Sequence, residues 1–296
     1  KQRLLTNKKL KIAQDTLSKI GSENLNNEAK MYLKKALAQL DRLNTIRVNV
    51  DKFSIGGAKA IGYYTNMHAI FINMIGAIAK DATTVHEARD LSAWYNFIMS
   101  KERAGIERAV MSNSFARNKF LPGMQEKFTK LVTAQDGYLV SFQKSANKDM
   151  ISFYNKTVSG KPVDEVNRMR RIAFDTTSIG GFGIDYTYWF DTITAKINLL
   201  KKIDDYLAKT LDKSIEAQLS SEKSTLYTTI ILVIIILLTI LLISKLLSDV
   251  IVNSINTFQT GLLNFFKYLN KEISTINLLE DESKDEIGKM AKVVNQ

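Results

Sequence analysis

The sequence has no cysteine, two prolines (Pro122 and Pro162) and two histidines (His68 and His86). Without thiols there is no disulfide, no thiolate metal site and no cysteine nucleophile. With proline nearly absent and most glycines gathered in a few clusters, little interrupts a helix, so long helices and a mostly α chain are expected. The histidines lack a carboxylate partner at metal-ligand spacing and suggest no metal site. Asp185 reads as a helix cap and Glu280 to Glu286 as a solvated acidic connector, so no carboxylate pair points to acid–base catalysis. No enzyme activity, metal or cofactor is expected.

Charge excludes a further class. Lys and Arg number 41 against 30 Asp and Glu, a net charge of +11. The basic residues are scattered singly through residues 1–223 and form no run interleaved with aromatics, so nucleic acid is not an expected partner. A positively charged extracytoplasmic domain that steers anions toward itself fits the pattern better.

What is present is apolar material in two forms. Hydrophobic residues make up 45% of the 296 residues, enough for a real core. Ser224 to Ser244, "STLYTTIILVIIILLTILLIS", is a run of 21 uncharged residues between Lys223 and Lys245. At about 1.5 Å per residue such a helix spans a bilayer core of about 30 Å. A membrane protein is expected.

Before that run the periodicity is helical. From Leu4 to about Val50 it is broken near "GSENLNNE" (21–28), where Ser22 or Asn26 could cap a new helix. "AKAIGYYTNMHAIFINMIGAIAK" (58–80) is apolar nearly all round and is expected to be a central helix. The next helix ends near Asn118, another starts at Pro122, and a third starts at Pro162 with Asp164 and Glu165 in its first turn. "SIGGFG" (178–183) lacks the preceding strand and the spacing of a phosphate loop. From Asp185 to Thr260 there is neither Gly nor Pro, and Trp189, Ile193, Ile197, Leu200, Ile203, Leu207, Leu211 and Ile215 form one stripe, so one helix is expected to run on into the membrane.

Within "KERAGIERAV" (101–110), Arg103 shares a helix face with Tyr95, Met99, Ile106 and Val110. A guanidinium in an apolar seam needs an anion. Either Glu107, one turn on, or Glu102 supplies it as an ion pair, or a bound ligand does. Arg108 and Arg117 read as surface charges.

After the apolar run, Ile251, Ile255, Phe258, Leu262, Phe265 and Leu269 repeat at coiled-coil spacing, and Ile287, Met290 and Val294 resume it beyond "STINLLEDESK". Two short amphipathic helices need a partner to bury such seams, and a parallel dimer provides one. The arrangement, with "DEIG" opening the second helix, resembles the HAMP signal-relay module, with Ser254 where the family usually has Pro. "SINTFQTGLLNFFKYLNKE" is similar to the version in methyl-accepting chemotaxis receptors.

Residues 1–215 resemble the nitrate- and nitrite-sensing (NIT) domain family through five strings in the family's order: "AIGYYTNMHAIFIN", "KERAGIERAV", "FTKLVTAQDGYLVSF", "DEVNRMRRIAFD" and "YWFDTITAKINLLKKIDDYLAKTL". The resemblance implies an all-α fold of two stacked four-helix bundles that binds nitrate between helices through arginines. Its "KER" arginine corresponds to Arg103. Its "RMR" arginine corresponds to Arg168, with Arg170 or Arg171 as alternatives. The family's first-helix "ER" motif has no counterpart, since "KQRLLTNKK" is similar to the stretch that follows it. Arginine suits a planar monoanion because its fork presents paired, permanently charged donors.

Together these readings imply three parts: residues 1–223 as a periplasmic sensor, 224–245 as a transmembrane helix in a bacterial inner membrane, and 246–296 as a cytoplasmic HAMP module. The expected assembly is a homodimer that reports nitrate or nitrite to a chemotaxis adaptor and kinase through a domain beyond Gln296. Alternatives are the sensory half of a histidine kinase or cyclase, or a receptor for a periplasmic partner protein.

Overall fold

The computed structural model describes residues 2–176, 180–278 and 286–296, and every regular element among them is a helix. The fold is all-α, as the scarcity of Pro and Gly requires. The chain divides into two compact units, Lys1–Ala217 and Gln218–Gln296.

The first unit opens with α1 (Gln2–Ile20), α2 (Asn27–Asp41), α3 (Leu43–Asp51) and α4 (Gly57–Ile78). Of the two candidate caps, Asn26 is used: its side-chain oxygen accepts from the Ala29 amide at 2.8 Å. Its amide nitrogen donates to the Ala77 carbonyl at 2.8 Å, tying the start of α2 to the end of α4. Leu43, Ile46, Tyr63 and Met67 form the core of this group. The sequence suggests that α4 is buried all round, but it buries only Tyr63, Met67, Ile72 and Ala77 and leaves Ile61 53% exposed. Its apolar character exceeds what neighbouring helices cover.

The remaining helices of this unit are α5 (Val85–Ala116), α6 (Met124–Ser145), α7 (Lys148–Thr157), α8 (Lys161–Asp175) and the first part of α9 (Tyr186–Leu269). α6 begins two residues after Pro122 because Gly123, at φ +76°, turns the chain through the left-handed region first. α7 is a separate helix that the sequence reading does not distinguish; Asn147 caps it by accepting from the Met150 amide. Pro162 stands in the first turn of α8, and Asp185 caps α9 by accepting from the Tyr188 amide at 2.8 Å. Close packing joins the two helix groups: a Cβ on Gly76 of α4 would lie 2.9 Å from the Tyr95 ring of α5. Ile72, Ile98 and Met99 bury one another at the same junction.

The α5–α9 group has two apolar clusters along its length. One gathers Met111, Phe115, Phe128, Val166, Met169, Trp189 and Ile193. The other gathers Phe97, Ala104, Phe142, Met150, Leu200, Ile203 and Leu207. α9 contributes to both, and its buried residues are Trp189, Ile193, Lys196, Leu200, Ile203, Leu207 and Leu211. Ile215, the end of the expected stripe, is 45% exposed, and Lys196 lies in the buried series instead.

In the second unit α9 runs unbroken to Leu269 and contains a segment long and apolar enough to cross a membrane, with a mean hydropathy of 3.2. Its apolar side chains are uncovered, Ile235 being 58% exposed. Of the later seam, Phe258, Leu262 and Phe265 are partly covered, while Ile251, Ile255 and Leu269 are exposed. α10 (Glu286–Val294) buries Gly288 and Ala291 and leaves Met290 exposed, so its covered face differs from the Ile287–Met290–Val294 seam read from spacing. Residues 280–285 of the acidic connector, Asp285 of "DEIG", and Ser178 and Ile179 of the glycine cluster lie outside the described residues.

Candidate functional site

Between the two apolar clusters of the α5–α9 group lies a polar layer. Glu107 comes from α5, Gln135 from α6, Arg170 from α8 and Lys196 from α9. Glu107, Gln135 and Lys196 each stand between residues of the two clusters along their helices, as Lys196 does between Ile193 and Leu200, and Arg170 reaches Glu107 and Gln135 from α8.

Glu107 is fully buried, a position tolerable for a carboxylate only with strong partners. Arg170 supplies them as a fork. Its Nε donates to Glu107 Oε1 at 2.7 Å and its Nη2 to Oε2 at 2.5 Å. Arg170 Nη2 also donates to Gln135 Oε1 at 2.8 Å, and Gln135 Nε2 donates to Glu107 Oε2 at 2.8 Å. Ser100 Oγ donates to the Gln135 carbonyl at 3.2 Å, which fixes α6 against α5.

Lys196 is 9% exposed and, among the described residues, makes no hydrogen bond or ion pair. Burial, and then the neighbouring Arg170 charge, push its ammonium down to about 8, while Glu107 and Asp136 pull the other way. The layer therefore holds two cationic side chains against one buried carboxylate.

Arg103 lies one turn before Glu107 on α5. Its guanidinium packs over the Tyr138 ring of α6, 5.8 Å from the centroid, and lines an open cavity of about 450 Å³ with Gly123, Glu126, Lys127, Lys130, Leu131 and Ala134. Neither ion pair considered for it from spacing is formed. Arg170 takes Glu107, and Glu102 faces His68 at 3.2 Å. Arg103 has no carboxylate partner among the described residues.

Arg168, the first choice from the resemblance, does not join Arg103 or Arg170. Its Nη2 meets Glu165 Oε2 at 2.9 Å, one turn back on the exposed side of α8, and Tyr188 donates to the same carboxylate at 3.1 Å. Those contacts hold Glu165 below the usual carboxylate range, through the Arg168 hydrogen bond first and Tyr188 second. The reason is register. α8 buries Val166, Met169 and Ala173, which turns Arg170 inward and leaves Arg168 and Arg171 outside.

Arg117 is a surface charge as expected, whereas Arg108 is not. Arg108 is half-buried, lies 4.9 Å from the Phe190 ring centroid and donates from Nη1 to Thr194 Oγ1 at 3.0 Å. Burial pushes it below its ordinary value. Each histidine has a carboxylate neighbour: Glu102 for His68, and Asp90 for His86 at 3.3 Å.

Sequence reasoning missed Lys196 and Gln135. A signal for Lys196 existed: the steps 189, 193, 196, 200, 203, 207 keep the alternation of fours and threes better than a path through Ile197. Gln135 gives no such signal, because a single Gln on an amphipathic helix is ordinary.

These features define a helical bundle with a buried polar layer that holds more cationic donors than anions. The chain belongs to the nitrate and nitrite sensing family, which matches residues 1–212. A nitrate regulatory protein from Klebsiella oxytoca is 23% identical over 182 residues, covering 62% of this chain and 46% of that protein. The solved structure of the NasR transcription antiterminator superposes with a TM-score of 0.66 at 20% identity, covering 73% of this chain and 58% of that one. The likeness supports the fold of the sensor part. The chain spans about half the length of these relatives.

Proposed function

We propose that the first unit binds nitrate or nitrite at the α5–α6–α8–α9 layer, using Arg103 and Arg170, and that the chain is the sensor region of a dimeric transmembrane receptor. One observation carries the binding reading: the buried layer contains more positive than negative charge, with Arg103 unpaired one turn away. An anion of single charge neutralises that excess, and its planar oxygens match guanidinium forks. Family membership supports the choice of nitrate and nitrite. The reading is of a binding module, with no catalytic step assigned to it.

Calorimetric titration of the full chain in lipid nanodiscs with nitrate, nitrite and chloride tests it. Arg103→Lys keeps the charge and loses the fork; Arg103→Met loses both. Loss of a charge-assisted contact of about 1.5–3 kcal/mol weakens binding roughly ten- to hundredfold. Equal affinity in wild type and Arg103→Met removes Arg103 from the site.

The membrane part of the proposal rests on the apolar segment of α9 and on the HAMP resemblance of residues 246–296. It places residues 1–223 in the periplasm, residues 246–296 in the cytoplasm and a parallel dimer along the Phe258–Leu262 seam. Cysteines introduced at Phe258 and Leu262 should crosslink in membranes, and a cysteine near Ser145 should react with an impermeant thiol reagent in spheroplasts. Output to a chemotaxis adaptor and kinase is the first reading. The names of the relatives, a regulatory protein and an antiterminator, favour a second in which the same sensor drives another output. Nitrate-dependent swimming bias supports the first; nitrate-dependent gene expression without it supports the second.

A further inference from the structure

We propose that Lys196 is itself a ligand of the anion, so that the bound anion bridges α8 to α9 through Arg170 and Lys196. The inference rests on the nitrate or nitrite reading above and adds a residue on the helix that runs on into the second unit.

Lys196 is a cationic side chain in an unfavourable place. It is nine-tenths buried as a residue, and a lysine in such a place normally pairs or sheds its proton, because desolvation of an isolated charge is costly. Ile193 and Leu200, its neighbours along the buried face, show that an apolar residue would fit the pattern of this helix. The charged groups around Lys196 are Glu107 on α5, Asp136 on α6 and Arg170 on α8. Glu107 is the buried carboxylate among them, and its oxygens already accept from Arg170 Nε, Arg170 Nη2 and Gln135 Nε2. Asp136 is exposed. The ammonium is therefore left with three donors and no acceptor among the described residues.

Glu107 also shows what the layer accepts. Its carboxylate is a planar group of single charge held by the Arg170 fork, the same pattern of oxygens that nitrate presents. A nitrate that shares Arg170 with Glu107 and takes a donor from Lys196 removes the excess charge. Because Lys196 is on α9, occupancy acts on that helix directly. Binding also favours the charged lysine, so it draws a proton from solvent wherever the free ammonium is partly deprotonated.

The test uses the full chain in nanodiscs and nitrate as the probe. Wild type is compared with Lys196→Met and Lys196→Arg by calorimetry at pH 8 in two buffers of different ionisation enthalpy. Lys196→Met should bind roughly ten- to hundredfold more weakly and Lys196→Arg within a few-fold of wild type. With the free ammonium at about 8, wild type should take up about half a proton on binding, and neither variant should take up any. Undiminished affinity in Lys196→Met overturns the assignment. Weakened affinity without proton uptake in wild type also overturns it, because altered packing would produce that result. Should Lys196→Met fail to fold, uptake in wild type and its loss in Lys196→Arg decide the matter. A wild type that binds neither nitrate nor nitrite overturns the functional reading itself, whereas binding that ignores Lys196 overturns this inference alone.

Discussion

One helix, α9, passes through two different environments. From Trp189 to Leu211 it buries a residue on nearly every turn against α5–α8, and past Leu211 its described residues are all at least partly exposed. Residues 224–244, within the second stretch, are far more apolar than the first. Burial therefore does not follow hydrophobicity along this helix; it follows the presence of partners. In the first stretch the partners are in the same chain, and the stretch can carry a charged residue, Lys196, at a buried position. In the second, Ile and Leu cover every side of the helix along residues 230–243 and call for a surrounding apolar phase or another chain.

Four experiments would break or sharpen this contrast. The largest effect is expected at the polar layer. Glu107→Gln leaves the buried Arg170 without its carboxylate and should lower the ligand-free stability of the first unit by about 3–5 kcal/mol. Nitrate should restore part of the loss and bind more tightly than to wild type, as read by thermal unfolding with and without the anion.

Next comes a pair of identical truncations on α9. Ile203 is fully buried, so Ile203→Ala should destabilise the first unit by about 2–5 kcal/mol in denaturant titrations. Ile235 is 58% exposed, and Ile235→Ala should leave that unit unchanged. Equal effects would mean that the two stretches are not independent.

A third effect comes from Lys196. Its ammonium lies at about 8 in the folded chain against 10.5 ordinarily, so between these values the unfolded chain binds more protons. Ligand-free stability should then rise with pH from about 8 to 10.5, by about 3 kcal/mol at most, and the penalty should be fully present below pH 8. The rise should vanish in Lys196→Met. Nitrate affinity should move the opposite way and fall as pH rises through 8.

The smallest effect is expected on the outer side of α8. Arg168 is 46% exposed and pairs with Glu165 at the surface, so Arg168→Ala should cost less than about 1 kcal/mol and leave nitrate affinity unchanged. A large loss of affinity would return Arg168 to the site and weaken the contrast between the two faces of that helix.

Much of the fold was legible because helices are encoded locally. The caps at Asn26 and Asp185, Pro162 in the first turn of α8 and the unbroken run of α9 follow from side-chain hydrogen bonding, fixed proline φ and the lack of breakers. The separate helix α7 was not legible, since only the cap at Asn147 divides it from α6.

The site was legible as a residue type and illegible as an arrangement. By itself the sequence determined an all-helical chain, an apolar segment of membrane-spanning length and arginines at family-like positions, since each depends on neighbours within a few turns. Only the tertiary structure decided that Arg170 turns inward while Arg168 turns out, that Glu107 answers Arg170 and not Arg103, and that Lys196 stands in a buried layer without an acceptor. Those outcomes depend on the rotation of four helices about their axes, and a hundred-degree step per residue makes a shift of one or two positions enough to exchange a buried charge for a solvated one.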